Sequence, residues 1–140
     1  MTRALLLSVK HKYAEAILNG TKTLELRRRF PVLPPGTLLY IYSSGSTRAI
    51  TGTVTLEGIT RTSDTRLTRE QLIRLELTKS EAAAYLAGAS SASVLHLGSP
   101  RSFSVPIALS TMRDRLHLEP VQSYRYVSAE LAAAVEGLSA

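Results

Sequence analysis

Apolar and polar positions alternate along this chain in short, strand-length periods broken by brief helical ones. Leu5 to Val9 reads as a buried strand. His11 to Asn19 then switches to helical spacing, with Ala14, Ile17 and Leu18 on one side and Asn19-Gly20 as a left-handed stop. From Lys22 to Arg29 the period returns to two, with Leu24 and Leu26 alternating with Glu25 and Arg27. As a regular strand, this stretch puts Lys22, Leu24, Leu26 and Arg28 on one face. Thr23, Glu25, Arg27 and Arg29 take the other. Five charges in eight residues is heavy for a purely structural strand. A carboxylate flanked by a hydroxyl and a guanidinium suits either internal pairing or the grip of a ligand.

Pro31 to Gly36 is a stiff connector, too rich in proline for a helix or a central strand. Thr37 to Tyr42 is the next expected strand, with Tyr40 and Tyr42 on one face, and Ser43 to Ser46 is expected as a turn. In Ala49 to Glu57, Ile50, Val54 and Leu56 point inward and Gly52 falls in register with them, which suggests a bend or a close backbone approach. The polar run 60–67 reads as a loop. Two capping boxes, Thr68 with Gln71 and Thr78 with Glu81, open helices over Arg69–Leu77 and Lys79–Ala87. Strand pattern resumes in Val94–Leu97, in Ser102–Leu109, where Pro106 argues for an edge or a bulge, and in Pro120–Val127. Ser128 is placed to cap an alanine-rich helix ending at Gly137.

Five to seven strands with few short helices point to a mainly β (α+β) domain, a small antiparallel barrel with helices over its openings. The 140 residues, 44% hydrophobic, make one domain with material for one core. That core is expected over about residues 4–127, with residues 128–140 as a helical extension. No apolar run approaches the roughly 20 residues of a membrane span, and the N-terminal apolar stretch is too short for a signal peptide. The absence of cysteine excludes disulfides and thiolate metal sites and fits a cytoplasmic protein. His11, His96 and His117 form no metal-spaced cluster, so neither a metal nor another cofactor is expected.

Charge changes the picture more than composition does. Residues 1–29 hold seven Lys/Arg against Glu15 and Glu25, a balance of +5 within a chain total of +6. From Thr62 onward eight basic and eight acidic residues cancel. A localised basic patch is what a phosphate-bearing partner selects. Lys10, His11 and Lys12 also stand where the first helix begins, beside its free N–H groups.

The stretch Ser8–Arg28 resembles the ASCH (activating signal cointegrator homology) domain of the PUA-like superfamily. The family pattern G-x-K-x-x-E-x-R is met by Gly20, Lys22, Glu25 and Arg27. Pro35-Gly36 leading into Leu38–Tyr42 and Ser43-Ser44 is similar to the family's next segment, as is Pro120–Tyr126. The resemblance implies a PUA-like β-barrel with an RNA-facing cleft. Some members are hydrolases, acting on N4-acetylcytidine or proposed to cut RNA. The amidohydrolase branch pairs the motif lysine with a threonine three positions on, where this chain has Glu25.

Two functions follow as expectations. The first is an RNA-binding module, for single-stranded or structured RNA, whose cleft carries Lys10, Lys12, Lys22, Arg27, Arg28, Arg29, Tyr42 and Ser44. Arg28 and Arg29 suit phosphate contact, and one or two of Tyr40, Tyr42, Tyr124 and Tyr126 suit stacking on a splayed base. The second is a metal-independent hydrolase on a modified nucleoside or RNA phosphodiester, with Glu25 as base and Lys22 stabilising a developing oxyanion. The structural alternative is a Glu25–Arg27 ion pair that merely fixes the barrel. No nucleophile with an activating partner is evident, so binding stands ahead of catalysis.

Overall fold

The computed structural model describes residues 4–120 and 122–140. Strand β1 (Ala4–Lys10) runs directly into helix α1 (His11–Asn19), which ends where Gly20 turns left-handed at φ 87°. Strand β2 (Leu24–Arg27) is shorter than its charged stretch suggests, because Lys22 and Thr23 lead into it and Arg28 and Arg29 leave it. After the proline connector come β3 (Thr37–Ser44) and β4 (Ala49–Thr62), then a 3₁₀ turn at Asp64–Arg66. Helices α2 (Arg69–Leu75) and α3 (Lys79–Leu86) each begin at a complete capping box, on Thr68 and Thr78. Strand β5 (Ala92–Ala108), α4 (Leu109–Leu116), β6 (Tyr124–Val127) and α5 (Ala129–Ser139) complete the chain. Ser128 caps α5 by accepting from the Leu131 N–H.

The six strands form one mixed sheet in the order β2-β5-β4-β3-β1-β6, curled into a half-barrel. All neighbours are antiparallel except β1 and β3, which run parallel because α1, β2 and the connector intervene as a crossover. β1 reads as a continuous buried strand because both of its faces are covered. Leu5, Leu7 and Val9 pack under α1 with Ile17, Ile41, Val54 and Leu95, while Leu6 meets Tyr40, Tyr42, Met112 and Val135 on the side of α4 and α5. A third apolar cluster joins Leu24 and Leu26 of β2 to Leu75 of α2 and Ala82 and Leu86 of α3.

Several element boundaries differ from expectation, each for a tertiary reason. Ser43 and Ser44 stay in β3, and the turn begins at Gly45. The polar run from Thr60 to Thr62 is strand rather than loop, because β5 supplies its ladder through the pairs Thr60–Val94, Arg61–Ser93 and Thr62–Ala92. The two expected strands around residues 94–109 are one 17-residue strand, and Leu109 opens α4 instead of closing a strand. Pro106 does sit in a bulge, since Ile50 pairs with Ile107 and Gly52 with Ser102, leaving four residues of β5 opposite Thr51. Gly52 marks a close approach. A Cβ there meets the Arg101 carbonyl oxygen and comes within 2.8 Å of Leu18 Cδ2. The last strand starts at Tyr124 rather than Pro120, and Val121 lies outside the described residues. α5 runs past Gly137 to Ser139.

Candidate functional site

Strand β2 is an edge strand, yet all four of its residues are buried. Leu24 and Leu26 face α2 and α3. Glu25 and Arg27 lie opposite Leu95 and Ser93 of β5 and share their face, the inner side of the half-barrel. Glu25 and Arg27 are each 8% exposed, and Lys22 only 2%. Three charges buried this deeply must compensate one another, and the geometry shows how they do so.

Glu25 is the hub. Its Oε2 accepts from Arg27 Nε at 2.9 Å and from an Arg27 terminal nitrogen at 2.6 Å, while Oε1 stands 3.4 Å from Lys22 Nζ. Arg27 donates onward to the Ser8 carbonyl oxygen at 2.9 Å. The Lys22 ammonium donates to the carbonyl oxygen of Leu75 and lies 4.8 Å from the centroid of the Tyr13 ring. Leu75 is the last residue of α2, whose terminal carbonyls have no partner within the helix. Glu76 turns left-handed at φ 56° to end that helix. Lys22 therefore serves as a buried cap on α2. Around it, Arg74 Nε donates to Thr23 Oγ1 at 2.9 Å, and Thr21 Oγ1 donates to Glu76 Oε2 at 3.0 Å. Burial holds the Lys22 ammonium below its ordinary value of 10.5, only partly opposed by the charge of Glu25.

The sequence-predicted residues thus separate into groups. Lys22, Glu25 and Arg27 form the buried network. Lys10 and Lys12 are exposed at the start of α1, where the hydroxyl of Ser44 donates to the Val9 carbonyl oxygen at 3.2 Å. Arg28 and Arg29 are exposed beyond the end of β2 and line a groove of about 270 Å³ with Arg61 and the turn Gly88–Ser91. Tyr42 belongs to the apolar cluster under α4 and α5 and is 4% exposed. A stacking role for Tyr42 does not fit that burial, because its ring is already packed on the core. Tyr126 is the more exposed tyrosine of β6.

Sequence reasoning missed the other halves of these contacts: the carbonyls of Ser8 and Leu75, the ring of Tyr13, and Arg61. Backbone carbonyls leave no trace in residue type. Arg61 was hidden in a run that resembled a loop.

The buried network also bears on catalysis. The Lys22 ammonium is surrounded by a carbonyl, a carboxylate and an aromatic ring, and both Glu25 oxygens are engaged by cations. Such an arrangement positions α2 and β2 against the barrel wall. It does not present a free acid and base.

The ASCH domain family matches residues 7–99. No curated protein matches the chain. Among solved structures, ASCH from Zymomonas mobilis superposes with a TM-score of 0.90 at 24% identity, covering 98% of this chain and 96% of that one. A protein from Pseudomonas syringae gives 0.64 at 16% identity, over 98% and 99% of the two chains. The N-terminal domain of McrB from Staphylothermus marinus gives 0.60 at 10% identity, over 96% and 93%. At these identities the likeness is one of fold.

Proposed function

The chain belongs to the ASCH domain family, a PUA-like fold generally linked to RNA binding, and from that premise we propose that it binds RNA through the basic surface flanking the G-x-K-x-x-E-x-R network. The network itself is the scaffold: Lys22, Glu25 and Arg27 fix β2 and α2 on the half-barrel. The binding cations are those the network leaves outside. The observation that carries the reading is that Lys10, Lys12, Arg28 and Arg29 are exposed and make no ion pair among the described residues. Arg101 and Arg113, by contrast, are neutralised by Glu136 and Glu119. Uncompensated guanidinium and ammonium groups gain most from a polyanion, whose counterions they displace.

Salt titration of affinity for a labelled single-stranded RNA tests this. Log affinity falls linearly with log salt, at about −0.7 per phosphate neutralised. Replacing Arg28 and Arg29 by Ala flattens the slope by roughly one to two such units and weakens all sequences alike. Replacing Arg113 and Arg115 removes the same formal charge and changes little. Equal loss in both double variants refutes the assignment of the surface. No binding by the wild type at low salt refutes the RNA reading.

A further inference from the structure

The groove beside Arg28 and Arg29 does not end with them. A second concavity of about 340 Å³ adjoins it, and the two share Arg61, Ser90 and Ser91. Arg66, from the 3₁₀ turn after β4, lines the second. Four guanidiniums therefore border one continuous trough, and no carboxylate is among the residues lining either half. Asp64 shares the turn with Arg66 but lines neither concavity.

Arg61 is held in place. Its two terminal nitrogens donate to Ser93 Oγ at 2.9 Å and Ser91 Oγ at 2.6 Å. Both acceptors are neutral hydroxyls, so the guanidinium is oriented without its charge being cancelled. Arg27, Ser93 and Arg61 lie directly across neighbouring strands, so the trough continues the inner sheet face on which the buried network sits. Arg28, Arg29 and Arg66 make no ion pair among the described residues. A pre-oriented fork between exposed, unpaired cations, with the hydroxyls of Ser90 and Ser91 in the same lining, is matched to phosphate oxygens.

We propose that this trough, with Arg61 as its fixed centre and Arg28, Arg29 and Arg66 along its walls, is a track for the phosphodiester backbone of RNA. It rests on the RNA reading above and extends the contact surface from β2 across β5 to the far end of β4. Phosphate contacts of this kind set register and orientation and carry no sequence information. Base readout on this domain belongs to other residues.

The test is fluorescence anisotropy of a 3′-labelled oligouridine of 12 residues, made with either a 5′-hydroxyl or a 5′-phosphate, against the full chain. Ser90→Glu places a carboxylate in the trough from an exposed position without touching the fold. It lowers affinity for both oligonucleotides, whereas Ser110→Glu, at an exposed position of α4, does not. Arg61→Ala combined with Arg66→Ala reduces the magnitude of the salt slope by about 0.7 to 1.4, one to two phosphates. Arg66→Ala alone, which removes no side-chain hydrogen bond among the described residues, gives about half of that and covers the case in which loss of the Arg61 bonds perturbs folding. If the wild type binds, Arg28→Ala with Arg29→Ala weakens it, and the Ser90 and Arg66 variants match wild type, the track is refuted while the RNA reading stands. Sensitivity confined to the 5′-phosphorylated oligonucleotide also overturns it, showing a terminal-phosphate site instead. Absence of any wild-type binding overturns both.

Discussion

Arg27 donates to the carbonyl oxygen of Ser8 at 2.9 Å, across a sheet in which their strands stand four places apart. β2 and β6 are the two ends of the strand order and do not pair with each other. What a closed barrel does with a ladder of backbone hydrogen bonds, this half-barrel does with one guanidinium, held in line by Glu25. The charges of the motif are thereby tied to the architecture before they are tied to any ligand.

Removing the hub is costly. Glu25→Gln leaves two buried cations without their anion and is expected to destabilise the fold by about 3–5 kcal/mol. Lys22→Met keeps the Glu25–Arg27 pair and costs less, because the apolar side chain replaces a charge that burial disfavours. Urea unfolding of the two variants checks the order. A Glu25→Gln protein as stable as wild type contradicts the structural role of the network.

Lys22 also makes stability depend on pH. Its native pKa lies below its unfolded value of 10.5. Between those two values the unfolded chain binds more protons, so native stability rises with pH across that window and the rise ends near 10.5. Tyr40 acts in the opposite sense. Burial, with Glu136 beside it, pushes its hydroxyl up to about 12. The unfolded chain loses that proton first, so stability falls as pH climbs from 10 to about 12. Urea midpoints across this range are expected to show wild type gaining on Lys22→Met up to about pH 10. Tyr40→Phe is expected to lose less than wild type above it.

Gly52→Ala drives a methyl group into the Arg101 carbonyl and Leu18. Backbone cannot yield as a flexible side chain does, so a loss of roughly 1–3 kcal/mol is expected, read as a shift in the urea midpoint.

Thr51, opposite the β5 bulge, carries a buried hydroxyl with no hydrogen-bond partner among the described residues. Thr51→Val is expected to raise stability by about 1 kcal/mol, since it removes an unsatisfied buried group at nearly constant volume. Thermal unfolding shows the sign directly.

Local signals were legible in the sequence and tertiary ones were not. The bounds of α1, the left-handed Gly20 and both capping boxes depend on residues within a few positions of one another, and all are found as read. α4 escaped because only Met112 and Leu116 of its eight residues are buried among polar neighbours, too few to mark a helical stripe. The extension of β4 to Thr62 depends on a partner strand some thirty residues away. The family motif was legible to the residue, but its burial was not. A strand with this many charges looks solvated until the inner side of the half-barrel is seen to enclose Glu25 and Arg27, and the end of α2 to close over Lys22.

The placement of β2 has a consequence for how the chain acquires its structure. Its ladder partner begins at Ser93, nearly seventy residues later, whereas β1 needs only to reach Thr37–Ser44. During synthesis β2 must wait as an unpaired edge until almost two thirds of the chain has been made. Such edges are where nascent proteins aggregate. Lys22, Glu25 and Arg27 keep that waiting segment hydrated. The charges that the finished fold must bury and neutralise are the same ones that protect the unfinished chain from pairing with a neighbour.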